Sequence, residues 1–141
     1  MSRVIAVAIV ALASGGCVSA DDDSEPPIGV AGTESADYPD IVGVEPTFEE
    51  SSGLWTFAVT VSSPYDTPER YADGWRVMGA DGTVYGVHTL AHDHAAEQPF
   101  TRRQSGVQIP PDVREVTVEG RDRINGFGGA TLTIELPRPD R

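Results

Sequence analysis

Lysine is absent from this chain of 141 residues: all ten basic residues are arginine, set against 22 acidic residues for a formal net charge of -12. A nucleic-acid-binding surface needs clustered positive charge to displace counterions from phosphates, and this balance excludes that class. Cysteine is nearly absent. The single Cys17 can form neither an internal disulfide nor a cysteine zinc cluster. Long apolar runs are missing as well. The longest, Val4 to Ala13, has ten residues, half of the roughly 20 that a bilayer-spanning helix requires. No Gly-x-Ser-x-Gly elbow occurs, and the acids are scattered so that no pair takes acid and base roles. The length allows one small domain with attached segments. The lack of lysine fits a high-GC genome or a salty habitat.

Residues 1–20 read as an export signal. Arg3 supplies a positive charge, the apolar run follows, and Ser14-Gly15-Gly16 leads into Cys17. The arrangement resembles a bacterial lipoprotein lipobox, whose cysteine becomes the acylated first residue; Ser14 stands where that pattern has an aliphatic side chain. Cleavage after Val18-Ser19-Ala20 is the alternative and would give a soluble secreted or periplasmic protein. Residues 18–40 hold seven acids and no base, with Pro26-Pro27 and scattered glycines. Such a segment buries too little apolar surface to offset its ordering entropy and reads as a disordered acidic linker. The expected organisation is a signal segment over 1–17, the linker over 18–40 and a folded domain over 41–137. A lipid anchor at Cys17 would hold the protein on a membrane of the bacterial envelope, facing the periplasm. Val18 in place of an inner-membrane retention Asp favours the outer membrane.

The domain reads as strands. Leu54 to Val61 alternates Trp55, Phe57, Val59 and Val61 with smaller or polar residues, a period of two. Glu115 to Arg121 places Val116, Val118 and Gly120 inward, and Thr131 to Leu136 does the same with Leu132, Ile134 and Leu136. Trp75 to Gly79 and Thr83 to Ala91 flank the hairpin signal Ala80-Asp81-Gly82. Ile41 to Glu50 carries Pro46 and so predicts an edge strand. Ser105 to Ile109 predicts a short strand stopped by Pro110-Pro111, and Asn125 to Gly129 a last hairpin loop. About seven short strands with no helical period predict an all-β fold, an immunoglobulin- or fibronectin-like β-sandwich. The face that β-strand 83–91 turns inward is open, since Tyr85, Val87 and Ala91 compete with Val84, His88 and Leu90.

The densest polar cluster runs from His92 to Arg103. On an extended backbone, His92 and His94 project to one side about 7 Å apart, a spacing at which two imidazoles can chelate one ion. Zinc or copper would be the candidate ion, with Glu97 or Asp93 as third ligand. His88 joins only if the chain bends. The competing reading, which the residues favour, is a loop scaffold: Glu97 pairs with Arg102 or Arg103, pins the loop to the sheet, and Phe100 plugs the core. Trp75 with Tyr65 and Tyr71 is a candidate aromatic surface for sugar or peptide; the alternative makes Trp75 core and the tyrosines its cover.

The strings Tyr71-Ala72-Asp73-Gly74-Trp75, Asp81-Gly82, His92-x-His94 and Glu97-Gln98-Pro99-Phe100-Thr101-Arg102 resemble an uncharacterised family of small exported bacterial proteins, alpha-proteobacterial in type. The resemblance covers about residues 54–136. It implies an extracytoplasmic all-β domain and brings no activity, so no catalytic residue is carried over. The expected function is a non-enzymatic, membrane-tethered binding or accessory domain, monomeric, with an envelope protein as partner and no cofactor. The alternative is a periplasmic zinc- or copper-binding protein using His92 and His94.

Overall fold

The computed structural model describes residues 37–138. Cys17, the signal segment and the linker up to residue 36 lie outside the described residues. Eight strands are present: β1 (Asp40–Glu49), β2 (Leu54–Ser62), β3 (Ala72–Met78), β4 (Val84–Thr89), β5 (Phe100–Val107), β6 (Glu115–Asp122), β7 (Gly126–Phe127) and β8 (Leu132–Glu135). They form two antiparallel sheets, β1-β2-β5 and β4-β3-β6, with β7 and β8 both paired to β6. β7 takes the Arg121–Asp122 end of β6 and β8 the Glu115–Val118 end, so together they act as one interrupted edge strand. In immunoglobulin lettering the order is A-B-E against C′-C-F-G, with β4 beside β3 in the C′ place.

The alternation read from sequence sets the core. Trp55, Phe57, Val59 and Val61 of β2, Trp75 and Val77 of β3, and Val116 and Val118 of β6 are all fully buried. They form one cluster with Ile41, Ala72, Leu90, Phe100, Val107, Ile109 and Leu136. Pro46 lies on β1, an edge strand of its sheet, as proline in a strand predicts.

Four stretches differ from the sequence reading. β5 runs Phe100–Val107 rather than from Ser105 to Ile109. Its inward positions include the polar Arg102 and Gln104, which hide the period. A bulge, in which Trp55 faces Val107 and Phe57 faces Gln104, shifts it again, with Gly106 at φ 75°. On β4 the competition for the core face goes to Gly86, His88 and Leu90. Gly86 and His88 pair with the buried Val77 and Trp75, while Val84 and Val87 are 43% and 50% exposed. Tyr85 also packs on the core, because the register shift between Val77 and Met78 makes it an extra residue in β4. The expected 125–129 loop is partly strand, since Gly126–Phe127 is β7. The Asp122 carboxylate tightens the turn before it, accepting the N–H groups of Ile124 (2.9 Å) and Asn125 (2.7 Å). Lastly, Asp37 to Asp40, assigned to the linker by composition, belong to the fold. Pro39 is fully buried, and Tyr38 packs so closely on Gly128 that a side chain there would collide with its ring.

Candidate functional site

The histidine-bearing segment is the crossover between β4 and β5, which are edge strands of opposite sheets. It docks on the other crossover at the same end, between β2 and β3. Asp66 joins the two. Its buried carboxylate accepts the backbone N–H of Ala72 at 3.0 Å through one oxygen and that of His94 at 3.0 Å through the other. Gln98 adds a second bridge. Its carbonyl oxygen accepts the Ser63 N–H at 2.7 Å, and its amide donates to Ser63 Oγ and the His94 carbonyl, both at 3.1 Å. Ser63 is fully buried, so these bonds replace water that its backbone cannot reach.

The His94 ring is buried and stacks on Phe100, with centroids 4.0 Å apart and planes 28° apart. Its Nδ1 lies 3.0 Å from Glu97 Oε2 and 3.2 Å from an Arg102 guanidinium nitrogen, which is itself 2.6 Å from the same Glu97 oxygen. A guanidinium only donates. The consistent pattern therefore has His94 Nδ1–H and Arg102 both donating to Glu97, and the crossover is pinned to β5 by that carboxylate. The Arg102 bond, and after it the His94 bond, hold the Glu97 carboxyl below the usual carboxylate range.

Of the proposed metal ligands, His92 and His94 do come together, with ring centroids 4.6 Å apart. The others do not complete a set. His92 is exposed and its Nδ1 donates to the Asp93 carbonyl at 2.7 Å. Asp93 accepts the Ala95 N–H at 3.3 Å, and the Glu97 oxygen beside His94 is committed to His94 and Arg102. Among the described residues no group of three His, Cys, Asp or Glu side chains is placed to hold one metal ion. A guanidinium next to His94 also opposes a second cation there.

The remaining candidates are separated. Arg103 is exposed on β5 opposite Ala58, on the other face from Arg102. His88 stacks on Trp75, centroids 4.3 Å apart. Trp75 is fully buried, and its indole Nε1–H donates to Gln104 Oε1 across the two sheets at 2.8 Å. Tyr71 is buried with its hydroxyl on the Ala91 carbonyl, and Tyr65 donates to Asp122. The three aromatics therefore present no common surface. Asp66, Ser63 and Gln104 are not singled out by the sequence, and Gln98 stands out only as a member of the 92–103 cluster. Of the first three, only Gln104 left a signal, a polar residue two and four positions from Arg102 and Phe100 on one strand face. Chemically the cluster fastens two crossovers together through His94 Nδ1, Glu97, Arg102, Asp66 and Gln98.

Comparison with known proteins adds one relative. The chain is similar to a protein of Halomicrobium mukohataei described as "Putative lipoprotein", 31% identical over 93 residues. The match covers 65% of this chain and 45% of the relative, so the chain spans less than half of that protein's length. No protein-family model matches, and no solved structure matches.

Two titratable groups give the domain an acid-sensitive stability. Burial pushes the His88 pKa down. Its neutral form is the one that folding favours, so its contribution is present above its unfolded pKa, near 6.5, and is lost as pH falls from there to the lowered folded value. Glu97 is likewise lowered; its contribution is present above about 4.3 and is lost as pH falls through its folded value. Urea midpoints measured against pH should show His88→Phe removing part of the decline that starts near pH 6.5. Glu97→Gln should remove part of the decline below pH 4.5 only. Identical profiles for wild type and His88→Phe would contradict the burial argument.

Proposed function

We propose that this chain is a lipid-anchored, non-enzymatic binding module on the extracytoplasmic side of a cell envelope. The observation that carries the anchor is Cys17 placed directly after a short apolar run and small residues; the description of the Halomicrobium mukohataei relative supports it. The mutual pairing within the polar cluster supports a scaffold rather than a reaction centre. Glu97, His94 and Arg102 are engaged with one another, and Asp66 and Gln98 with backbone. A catalytic base would instead need a free edge directed at substrate.

The anchor is tested by detergent-phase partition and intact-mass measurement after expression in a lipoprotein-processing bacterium. Wild type should enter the detergent phase with the mass of an acylated Cys17 N-terminus, and Cys17→Ser should move to the aqueous phase. A single acyl chain holds a protein only marginally, whereas the several chains of a mature lipoprotein give a near-complete shift. Wild type in the aqueous phase with Asp21 as its first residue would replace this reading with simple secretion.

A further inference from the structure

The opposite end of the sandwich carries an open groove of about 580 Å³, between the β1–β2 turn and the β5–β6 connection. Its lining includes Phe48, Tyr85, Gln108, Pro110, Pro111 and Arg138. The volume lies in the range of ligand sites, about 300–1,000 Å³. We propose that this groove binds an extended, proline-containing peptide segment that carries a carboxylate.

The walls argue for the proline component. Phe48 and Tyr85 supply aromatic surface, and Pro110-Pro111 forms an opposing wall. Proline has no N–H, so that wall cannot add an occupant as a further strand through a backbone ladder. Affinity has to come from rings packing on an extended chain that needs no internal hydrogen bonds, which is how polyproline segments are held in aromatic grooves.

Charge argues for the carboxylate. The chain carries a net -12, yet the one charged residue lining this groove is Arg138. Its guanidinium is fixed. One terminal nitrogen donates to the Ile109 (3.2 Å) and Pro110 (2.9 Å) carbonyls, and the group lies 5.6 Å from the Phe48 ring and 5.4 Å from the Trp55 ring. Among the described residues it has no carboxylate partner. A preplaced cation without a carboxylate among the described residues favours an anionic partner at little ordering cost.

The inference rests on reading the chain as a binding module and does not depend on the anchor, so its failure leaves the partition experiment untouched. The full chain is titrated by fluorescence anisotropy with labelled Ala-Pro-Pro-Glu-Pro-Pro-Ala and its Gln counterpart, and contacts are mapped by amide chemical shifts. The Glu peptide should saturate, bind about tenfold more tightly than the Gln peptide, and shift Gly53, Tyr85 and Gln108. Arg138→Met should bind both peptides with the weaker affinity, and Tyr85→Ala should lose at least fivefold for both. The comparison of the two peptides on wild type needs no variant to fold. No saturation at millimolar peptide, equal affinities, or shifts clustered away from the groove would overturn the proposal. So would concentration-dependent dimerisation mapped to these residues.

Discussion

Asp66→Ala is expected to cost about 3–5 kcal/mol of folding stability, a large share of what a small domain has. The carboxylate takes one N–H from each crossover, Ala72 on the β2–β3 side and His94 on the β4–β5 side, and all three residues are buried. Removal orphans two buried donors at about 1–3 kcal/mol each. Asp66→Asn should lose about half as much, because its amide oxygen can serve one N–H while its NH₂ is turned toward the other. Urea denaturation gives the totals. Hydrogen exchange gives the location: the His94 amide should become fast in Asp66→Ala while amides of β2 and β6 fall only with global stability. A loss under about 1 kcal/mol would mean that the two crossovers are held by Gln98 and the Phe100–His94 stack without Asp66.

That carboxylate shows where sequence reading reaches its limit in this chain. β2, β8 and β6 as far as Gly120 are visible because their inward residues are apolar or glycine and period-two alternation writes the core face directly into the sequence. β5 was misplaced because its inward positions are Phe100, Arg102 and Gln104, and β4 was ambiguous because a bulge at Tyr85 changes its phase. On β5 the buried Gln104 is explained only by a partner 29 residues away, the Trp75 indole, whereas Arg102 answers to the nearby Glu97. The Glu97–Arg102 pairing was readable from proximity alone. Asp66 with His94 was not, since 28 residues separate them and only the antiparallel docking of two crossovers brings them together. The His92–His94 spacing predicts two rings near each other, as found, but spacing carries no information on whether a third ligand joins them, and among the described residues none does.

The largest loss should follow Trp75→Ala, about 4–5 kcal/mol or more, and its neighbours should separate packing from hydrogen bonding. Trp75 is fully buried in the face between the sheets, and truncating a buried Trp costs about 3–5 kcal/mol through transfer and cavity together. Here the Gln104 acceptor is also stranded, adding about 1 kcal/mol or more. Trp75→Phe keeps most of the ring and should lose about 2 kcal/mol; Gln104→Leu should lose a similar amount by orphaning the indole N–H. The double variant Trp75→Phe, Gln104→Leu should lose clearly less than the sum, with a coupling of about 1–2 kcal/mol, because neither polar group is then left unpaired. His88 supplies an independent reporter. It stacks on Trp75 at 4.3 Å, and burial is what lowers its pKa. In Trp75→Phe the imidazole should stay below its ordinary value, and in Trp75→Ala it should return toward about 6.5 as water enters. Additive single losses with an unmoved His88 would mean that the indole contributes area alone. The Gln104 bond would then not be what ties β3 of one sheet to β5 of the other.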